Sequence, residues 1–205
     1  MRKVSFAILA VCAMIAVGCS NPADNVTEAK VSSPTGEAAV SAEGKAYTVT
    51  PASTIGFVGS KVTGSHDGGF EKFSGEFVLV DGSPEGSHGA IEIDMDSTWS
   101  DNDRLTGHLK SPDFFGVEKN PTTTFKANKI EKAAEGYTVT GELTLHGVTK
   151  AISFPAQIAA EDDLIKLNAE FFVKRFDFEI KYPGKADDLI RDEVVIKLDI
   201  IAKAA

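Results

Sequence analysis

An alternation of apolar and polar residues is the feature that most constrains the fold, and it runs through most of the chain after Ala46. It is clearest at residues 91–96, where Ile, Ile and Met alternate with Glu, Asp and Asp, and again at residues 194–202. Because successive side chains of a β-strand point to opposite faces, the pattern predicts strands with one buried and one solvated face. Roughly eight or more such runs, joined by turns and with almost no helical periodicity, predict an all-β protein whose antiparallel sheet closes into a barrel.

Two short signals predict how neighbouring strands are joined. The dipeptide His146-Gly147 separates two alternating runs, and a two-residue loop that ends in Gly is a strong β-hairpin signal. Pro155 lies inside the returning strand and has no backbone N–H. It therefore predicts an edge, a bulge or a local bend at that position.

One stretch near residues 101–120 interrupts the alternation. Two leucines four residues apart would share one face of a helical turn, Pro112 ends that turn, and two adjacent phenylalanines come after it. The stretch predicts a short helical or loop insertion. It is interpreted either as an apolar plug or lid, or as a long crossover that covers the open end of a sheet. Its apolar residues are Leu105, Leu109, Phe114 and Phe115.

The beginning of the chain, residues 1–18, has the layout of a secretory signal peptide. Two basic residues precede an apolar run over residues 4–17, which is too short to span a bilayer as a permanent helix. Residues 16–19, Ala-Val-Gly-Cys, resemble the bacterial lipobox, in which the cysteine receives a diacylglyceryl group and becomes the mature N-terminus. We therefore predict a lipoprotein acylated at Cys19. A soluble secreted form is the alternative, because the motif begins here with Ala rather than Leu.

The two cysteines and the residue after the lipobox predict a location. Cys12 lies in the signal peptide, so Cys19 is the only cysteine of the predicted mature chain and no disulfide framework is available. Ser20 rather than Asp comes directly after it, which resembles outer-membrane sorting. The expected location is the bacterial cell envelope, in the outer membrane and facing the periplasm.

Residues 19–45 differ in composition from the remainder of the chain. They are rich in Ser, Ala, Pro, Glu and Gly and contain no aromatic residue. Such a segment cannot bury enough apolar surface to order itself, so it predicts a disordered tether. The folded domain is then residues 46–205.

The charge of the chain excludes one class of partner. The formal net charge is −9, and removal of Arg2 and Lys3 with the signal leaves 19 basic and 30 acidic residues, a net charge of −11. Nucleic acid is therefore not an expected partner. An acidic body also gains nothing from anionic lipid head groups, so membrane attachment would depend on the acyl chains.

The sequence contains no pattern that predicts catalysis. It has no Gly-rich phosphate loop, no Ser-His-Asp order and no paired cysteines. The four histidines have no metal-ligand spacing, so neither a metal nor a cofactor is expected. His108 could be a ligand or a general base, but a lid histidine that hydrogen-bonds a carboxylate or a backbone carbonyl is the preferred interpretation.

Three motifs in order carry a family resemblance: LTGHLKSPDFFGVEKNPTTTF, YTVTGELTLHGVTKAISFPAQI and DDLIRDEVVIKLDIIAKA. Together they resemble the YceI family of bacterial envelope proteins over about residues 46–203. The resemblance implies a lipocalin-like, eight-stranded antiparallel barrel with an elongated apolar cavity that holds a polyisoprenoid or another long-chain amphiphile. Gly116 stands where the family often has an acidic residue, and Asn120 where an aromatic residue is common.

The expected function is binding, with sequestration or transport, of such a lipid, for example a polyprenyl phosphate or an isoprenoid quinone. A ligand-free barrel that acts as an envelope interaction or stress-response module is the alternative, and an enzyme is the third class. The oligomeric state stays open between a monomer and a dimer. The head-group candidates are Arg104 and Lys110, for which solvated loop charges are the other interpretation. The candidates for the cavity or its mouth are Phe57, Phe73, Phe77, Leu105, His108, Leu109, Phe114, Phe115, Phe125, Phe154 and Phe171.

Overall fold

A computed structural model describes residues 20–34 and 43–205 of the chain. Within these ranges it contains thirteen strands and one α-helix. In chain order they are β1 (Lys30–Ser32), β2 (Lys45–Val49), β3 (Thr54–Lys61), β4 (Gly64–Phe70), β5 (Phe73–Val80), β6 (Ser83–Asp94), β7 (Thr98–Ser100), α1 (Asp103–Lys110), β8 (Thr122–Lys132), β9 (Tyr137–Leu145), β10 (Val148–Glu161), β11 (Leu164–Lys174), β12 (Gly184–Lys185) and β13 (Asp188–Ala204).

Eight of these strands close a barrel. Their order around the wall is β2, β5, β6, β8, β9, β10, β11 and β13, and β13 pairs back with β2. Every one of these pairings is antiparallel. The predicted all-β, eight-stranded antiparallel barrel is confirmed. The short helix α1 lies inside the predicted insertion near residues 101–120.

The strands β3, β4 and β7 extend the wall beyond the closed barrel. β2 and β3 lie one after the other along the same edge of β13, with a break at residues 50–53 between them. β2 pairs with β5 on its other side, whereas β3 pairs with β4 and β4 pairs with β7. The wall therefore divides between β4 and β5, and α1 comes directly after β7 at this end of the barrel.

The two ends of the barrel differ. A compact cluster of Tyr47, Leu79, Ile165 and Ala202 closes the end away from α1, and the Tyr47 hydroxyl donates to the Asp162 carbonyl at 3.0 Å. A larger apolar cluster fills the body of the barrel and reaches α1. Full burial of each large apolar side chain contributes about 1.5–3 kcal/mol, so this inner cluster is the main source of stability.

Both turn signals appear at the positions that the sequence predicts. Leu145 pairs with Val148 across a two-residue loop, and His146 and Gly147 have positive φ angles of 53° and 75°, as a type I′ turn requires. At Pro155 the strand β10 changes one of its partners. It pairs with β1 up to Ser153 and with β11 from residue 157 onward.

Residues 20–34 and 43–45 are the described parts of the predicted tether. Residues 20–34 differ from the prediction because they pack against the barrel, and Lys45 is already the first residue of β2. β1 pairs with β10, and Ala29 is only 2% exposed. Ala23 packs with Val58 and Val195 on the outer face of the wall. A segment of this composition does not fold by itself, but hydrogen bonds to existing strand edges can still order it. Residues 1–19, with the predicted signal peptide and Cys19, and residues 35–42 lie outside the described ranges.

Candidate functional site

An apolar cavity of about 200 Å³ lies inside the barrel at the end that carries α1. Its wall consists almost entirely of aliphatic and aromatic side chains from the barrel strands, from β3 and β4, and from the segment around α1. Seven of the residues predicted from the sequence line it: Phe57, Leu109, Phe114, Phe115, Phe125, Phe154 and Phe171.

The aromatic side chains of the wall contact one another in two groups. Phe154 stacks on Phe171 with ring centroids 4.1 Å apart, and Phe125 lies 5.6 Å from Phe154. On the other side, Phe57 lies 6.3 Å from Phe115 and 5.7 Å from Phe70. These contacts leave a dry space between two aromatic surfaces, which suits an apolar chain better than a polar substrate.

The segment around α1 forms a lid over this space. The Asn102 side chain accepts from the Leu105 N–H at 3.0 Å and caps the start of the helix. The chain then turns back, and the Phe115 N–H donates to the Leu109 carbonyl at 3.0 Å. The segment also connects β7 to β8, so it has the features of both predicted interpretations, a lid and a crossover that covers the open end.

Gly116 and Asn120 complete the turn of the lid. Gly116 has a φ of 55°, which favours glycine. The Asn120 amide donates to the carbonyls of Phe115 and Gly116 at 3.2 and 3.4 Å. The two positions at which the sequence departs from the family pattern therefore act together, and they hold Phe115 against the cavity.

His108 lies on the lid and outside the cavity lining. Its Nε2 is 2.9 Å from a carboxylate oxygen of Asp113, and its ring contacts Phe114 and Tyr182 edge-on, with centroids 4.9 Å away in each case. This is the arrangement preferred from the sequence, a lid histidine that pairs with a carboxylate. The ring supports Phe114, which is only 6% exposed.

The other predicted residues do not reach the cavity. Phe77 and Leu105 are half-buried and pack against the inner apolar cluster without lining the space. Arg104 is exposed on α1, and the Lys110 ammonium lies 3.3 Å from an Asp96 carboxylate oxygen. Neither of these two cations lines the cavity.

Phe73 lines a second, more open space. This groove of about 840 Å³ runs along the division of the wall between β4 and β5. It shares Ile55, Gly56, Phe57 and Phe70 with the cavity wall, so the two spaces adjoin. Trp99, at 42% exposure, lies at the edge of the groove.

A buried arginine is one of the few polar residues that line the cavity. Arg175 is 4% exposed, and its guanidinium donates to the carbonyls of Arg191 at 2.9 Å, Ile180 at 2.6 Å and Ile190 at 3.2 Å. Burial lowers the pKa of Arg175, and the charge of Asp192 opposes this effect. No carboxylate within the described part of the chain forms an ion pair with it. The guanidinium keeps its charge, because arginine is not deprotonated in proteins.

Three further polar atoms beside the cavity lack hydrogen-bond partners among residues 20–34 and 43–205. They are the hydroxyl oxygens of Ser60 and Thr123 and the Nε of Arg191. All three can donate a hydrogen bond, so each suits a ligand group that accepts one. Arg175 and Thr123 were not predicted from the sequence. Thr123 continues the inward series of β8, two residues before Phe125, whereas Arg175 lies just after the end of β11.

No other kind of site is evident in the described residues. No group of three or more His, Cys, Asp and Glu side chains within them could hold a metal ion. Among the same residues, no helix has the length and apolar character needed to cross a membrane.

Comparison with known proteins agrees with the fold described above. The chain is 31% identical over 137 residues to a UPF0312 protein of Pseudomonas putida, a match that covers 63% of this chain and 71% of the relative. Its structure is similar to that of BcnA from Burkholderia cenocepacia, with a TM-score of 0.69 and 24% identity over 76% of this chain and 99% of BcnA. It is also similar to a polyisoprenoid binding domain from Saccharophagus degradans, with a TM-score of 0.63 and 20% identity over 78% of this chain and 99% of that domain. The model of the YceI-like domain matches residues 47–202, which is nearly the whole barrel, and the chain therefore belongs to the YceI-like family.

Proposed function

We propose that this protein binds a long-chain amphiphilic lipid, such as a polyisoprenoid, inside its barrel and sequesters or carries it in the bacterial cell envelope. The observation that carries the proposal is the enclosed cavity, whose wall is almost wholly apolar and is covered by a lid that bears Phe114 and Phe115. The related fold of the Saccharophagus degradans domain, which is described as polyisoprenoid binding, supports the same ligand class.

The energetics of such a site favour a long apolar chain. Each methylene removed from water contributes about 0.8 kcal/mol, so affinity would come from chain length and shape without any catalyst. The cavity of about 200 Å³ is smaller than typical ligand sites of about 300–1,000 Å³. A long lipid must therefore displace side chains or part of the wall when it binds.

The polar end of the ligand would bind at Arg175, Arg191 or Thr123, which line the cavity from different elements. These side chains offer donors beside the cavity, and a phosphate or a quinone carbonyl offers matching acceptors. The head-group positions predicted from the sequence, Arg104 and Lys110, are less favourable because both lie outside the cavity lining. A polyprenyl phosphate and an isoprenoid quinone are the two ligands that we propose to test.

Native mass spectrometry of protein purified from its own host is the direct test. We expect a species with the mass of the protein plus a lipid, and solvent extraction should release an isoprenoid-like compound. Protein stripped of lipid should rebind undecaprenyl phosphate or ubiquinone. A barrel that is isolated empty and that also refuses both added lipids would contradict the proposal and favour the envelope interaction module.

A further inference from the structure

A gap in the barrel wall lies between β10 and β11. The two strands pair only between residues 157–161 and 164–168, so the halves that lie nearer the lid are not joined to each other. Residues 27–32, here named the N-terminal strap, lie in this gap. Lys30, Val31 and Ser32 pair with β10 at residues 151–153.

The strap is attached to β11 on its other side. The Ala29 N–H donates to the Phe172 carbonyl at 2.9 Å, and the Phe172 N–H donates to the Thr27 carbonyl at 3.0 Å. Glu28 and Lys174 form an ion pair at 2.7 Å. The strap therefore supplies backbone partners for strand edges that would otherwise be open.

The gap borders the cavity directly. Ile152 and Phe154 on β10 line the cavity, and so do Phe171 and Val173 on β11. Ala29 is buried in the same apolar cluster, and Val31 packs against it. The strap therefore closes the barrel wall beside the strands that line the cavity, although residues 27–32 themselves are not part of the lining.

The strap is held unequally on its two sides. On the β11 side the preceding residues Ala23 and Val26 pack against an outer cluster that includes Phe172. On the β10 side the hold consists of three residue pairs, and the side chain that packs inward there is Val31. A short pairing with little buried apolar surface opens at a lower free energy than the long barrel strands.

We infer that residues 30–32 detach from β10 to open a slot in the side of the barrel, and that the lipid enters and leaves through this slot. When the strap pairs again with β10, Ala29 and Val31 close the wall over the bound chain. The inference rests on the proposed function. It also explains how a cavity that is small when closed could admit a long lipid. The slot lies between β10 and β11, and both strands line the cavity, so opening the slot would widen it.

A reversible lock across the slot tests this route. Lys30 and Ser153 are register partners, and partners in antiparallel strands have Cα atoms about 4.5–5.5 Å apart, within the range of a disulfide. Full-length protein that carries Lys30→Cys and Ser153→Cys is loaded with undecaprenyl phosphate, and its release to phosphatidylcholine vesicles is timed. Peptide mapping by mass spectrometry verifies that the bridge joins these two positions.

Oxidation of this variant should slow release at least about tenfold, and reduction should restore the rate of the unmodified protein. Val31→Ala weakens the hold on β10 and should speed release about fivefold. The matched control is Glu131→Cys with Thr138→Cys, which are register partners of β8 and β9 away from the slot. Its oxidation should leave release unchanged. Equal release from the oxidised and reduced forms of the lock would overturn the inference.

Amide hydrogen exchange of the protein without added lipid separates this inference from the proposed function. Residues 30–32 should exchange much faster than residues 157–161 of the same β10 region, and oxidation of the lock should remove most of that difference. If residues 30–32 exchange as slowly as the barrel strands, the inference that they detach from β10 is wrong, even if the protein binds lipid. If residues 30–32 exchange fast but the protein binds no lipid, the opening of the strap is supported and the proposed function is contradicted.

Discussion

Thr123 lies at an inward position of β8 and is 5% exposed. Its hydroxyl borders the cavity and has no hydrogen-bond partner within residues 20–34 and 43–205. A buried hydroxyl without a partner costs about 1–3 kcal/mol. Val would fill about the same volume without that cost, so the unpaired hydroxyl supports the proposed hydrogen bond from Thr123 to a ligand.

Thr123→Val tests this explanation. The free energy of unfolding of lipid-free protein, measured by urea denaturation, should stay the same or rise, while affinity for undecaprenyl phosphate should fall about tenfold. The matched control is Thr124→Val, the next residue of β8 and on the opposite face of the strand, which should leave affinity unchanged. A loss of stability with unaltered affinity would show that the hydroxyl has a structural role instead.

The lid places two adjacent phenylalanines in different surroundings. Phe114 is 6% exposed and packs on His108 and Tyr182. Phe115 is half-buried and contacts Phe57 and Phe70 in the cavity wall. The sequence predicts that at least one ring lines the cavity or closes its end, and it does not distinguish the two, because adjacent residues of a loop have no fixed period.

Single Phe→Ala changes should separate the two roles. Phe114→Ala should lower the free energy of unfolding by about 3–5 kcal/mol, because it leaves a void in a packed cluster. Phe115→Ala should cost less stability and weaken lipid binding by a few kcal/mol, on the order of two or three buried methylenes. Leu189→Ala, at a residue that is 50% exposed, is the control and should change neither. An unaltered lipid affinity per folded molecule in both lid variants would contradict the assignment of a ligand contact.

Asp188 connects β13 to the turn between β3 and β4. Its carboxylate accepts from the Lys61 ammonium and from the Thr63 hydroxyl and N–H, at 3.0 and 3.2 Å for the latter two. The hydrogen bond from Lys61 is the main cause that lowers the pKa of Asp188 below its ordinary value of 3.8. A carboxylate whose folded pKa is depressed stabilises the protein above its unfolded pKa, and this contribution is lost as the pH falls through the folded pKa.

The stability difference between the wild type and Asp188→Asn should therefore shrink with acid. Urea denaturation should find the variant less stable at neutral pH, with the two proteins converging as the pH falls below about 4. Asp187→Asn, at the neighbouring exposed position, is the control and should show no such convergence. A difference that stays constant down to low pH would contradict a role for the charged carboxylate.

At the scale of the whole molecule, the ordered strap begins eight residues after Cys19. If Cys19 carries the predicted diacylglyceryl group, the anchor is attached close to the barrel wall rather than through a long tether. The slot proposed between β10 and β11 would then lie within a short distance of the membrane.

Acylation is tested on protein extracted from membranes. Mass spectrometry should find a diacylglyceryl-modified N-terminal peptide that begins at Cys19, and Cys19→Ser should abolish both processing and membrane association. Ser20→Asp should redirect the protein to the inner membrane if the outer-membrane sorting prediction holds. If Cys19→Ser leaves membrane association unchanged, the prediction of an acyl anchor at Cys19 is wrong.

The sequence by itself determined the fold class, the hairpin at His146-Gly147, the position of the lid and most of the aromatic cavity wall. These features arise from local rules, because side-chain alternation has a fixed period of two and a tight turn needs residues that accept positive φ. Only the tertiary structure decided which polar side chains border the cavity, since Thr123 lies in β8 and Arg175 follows β11, two elements distant in sequence. It also decided that residues 27–32 complete the wall. That pairing depends on unfilled edges of β10 and β11, which exist only once the barrel has closed, so no property of the N-terminal residues alone could predict it.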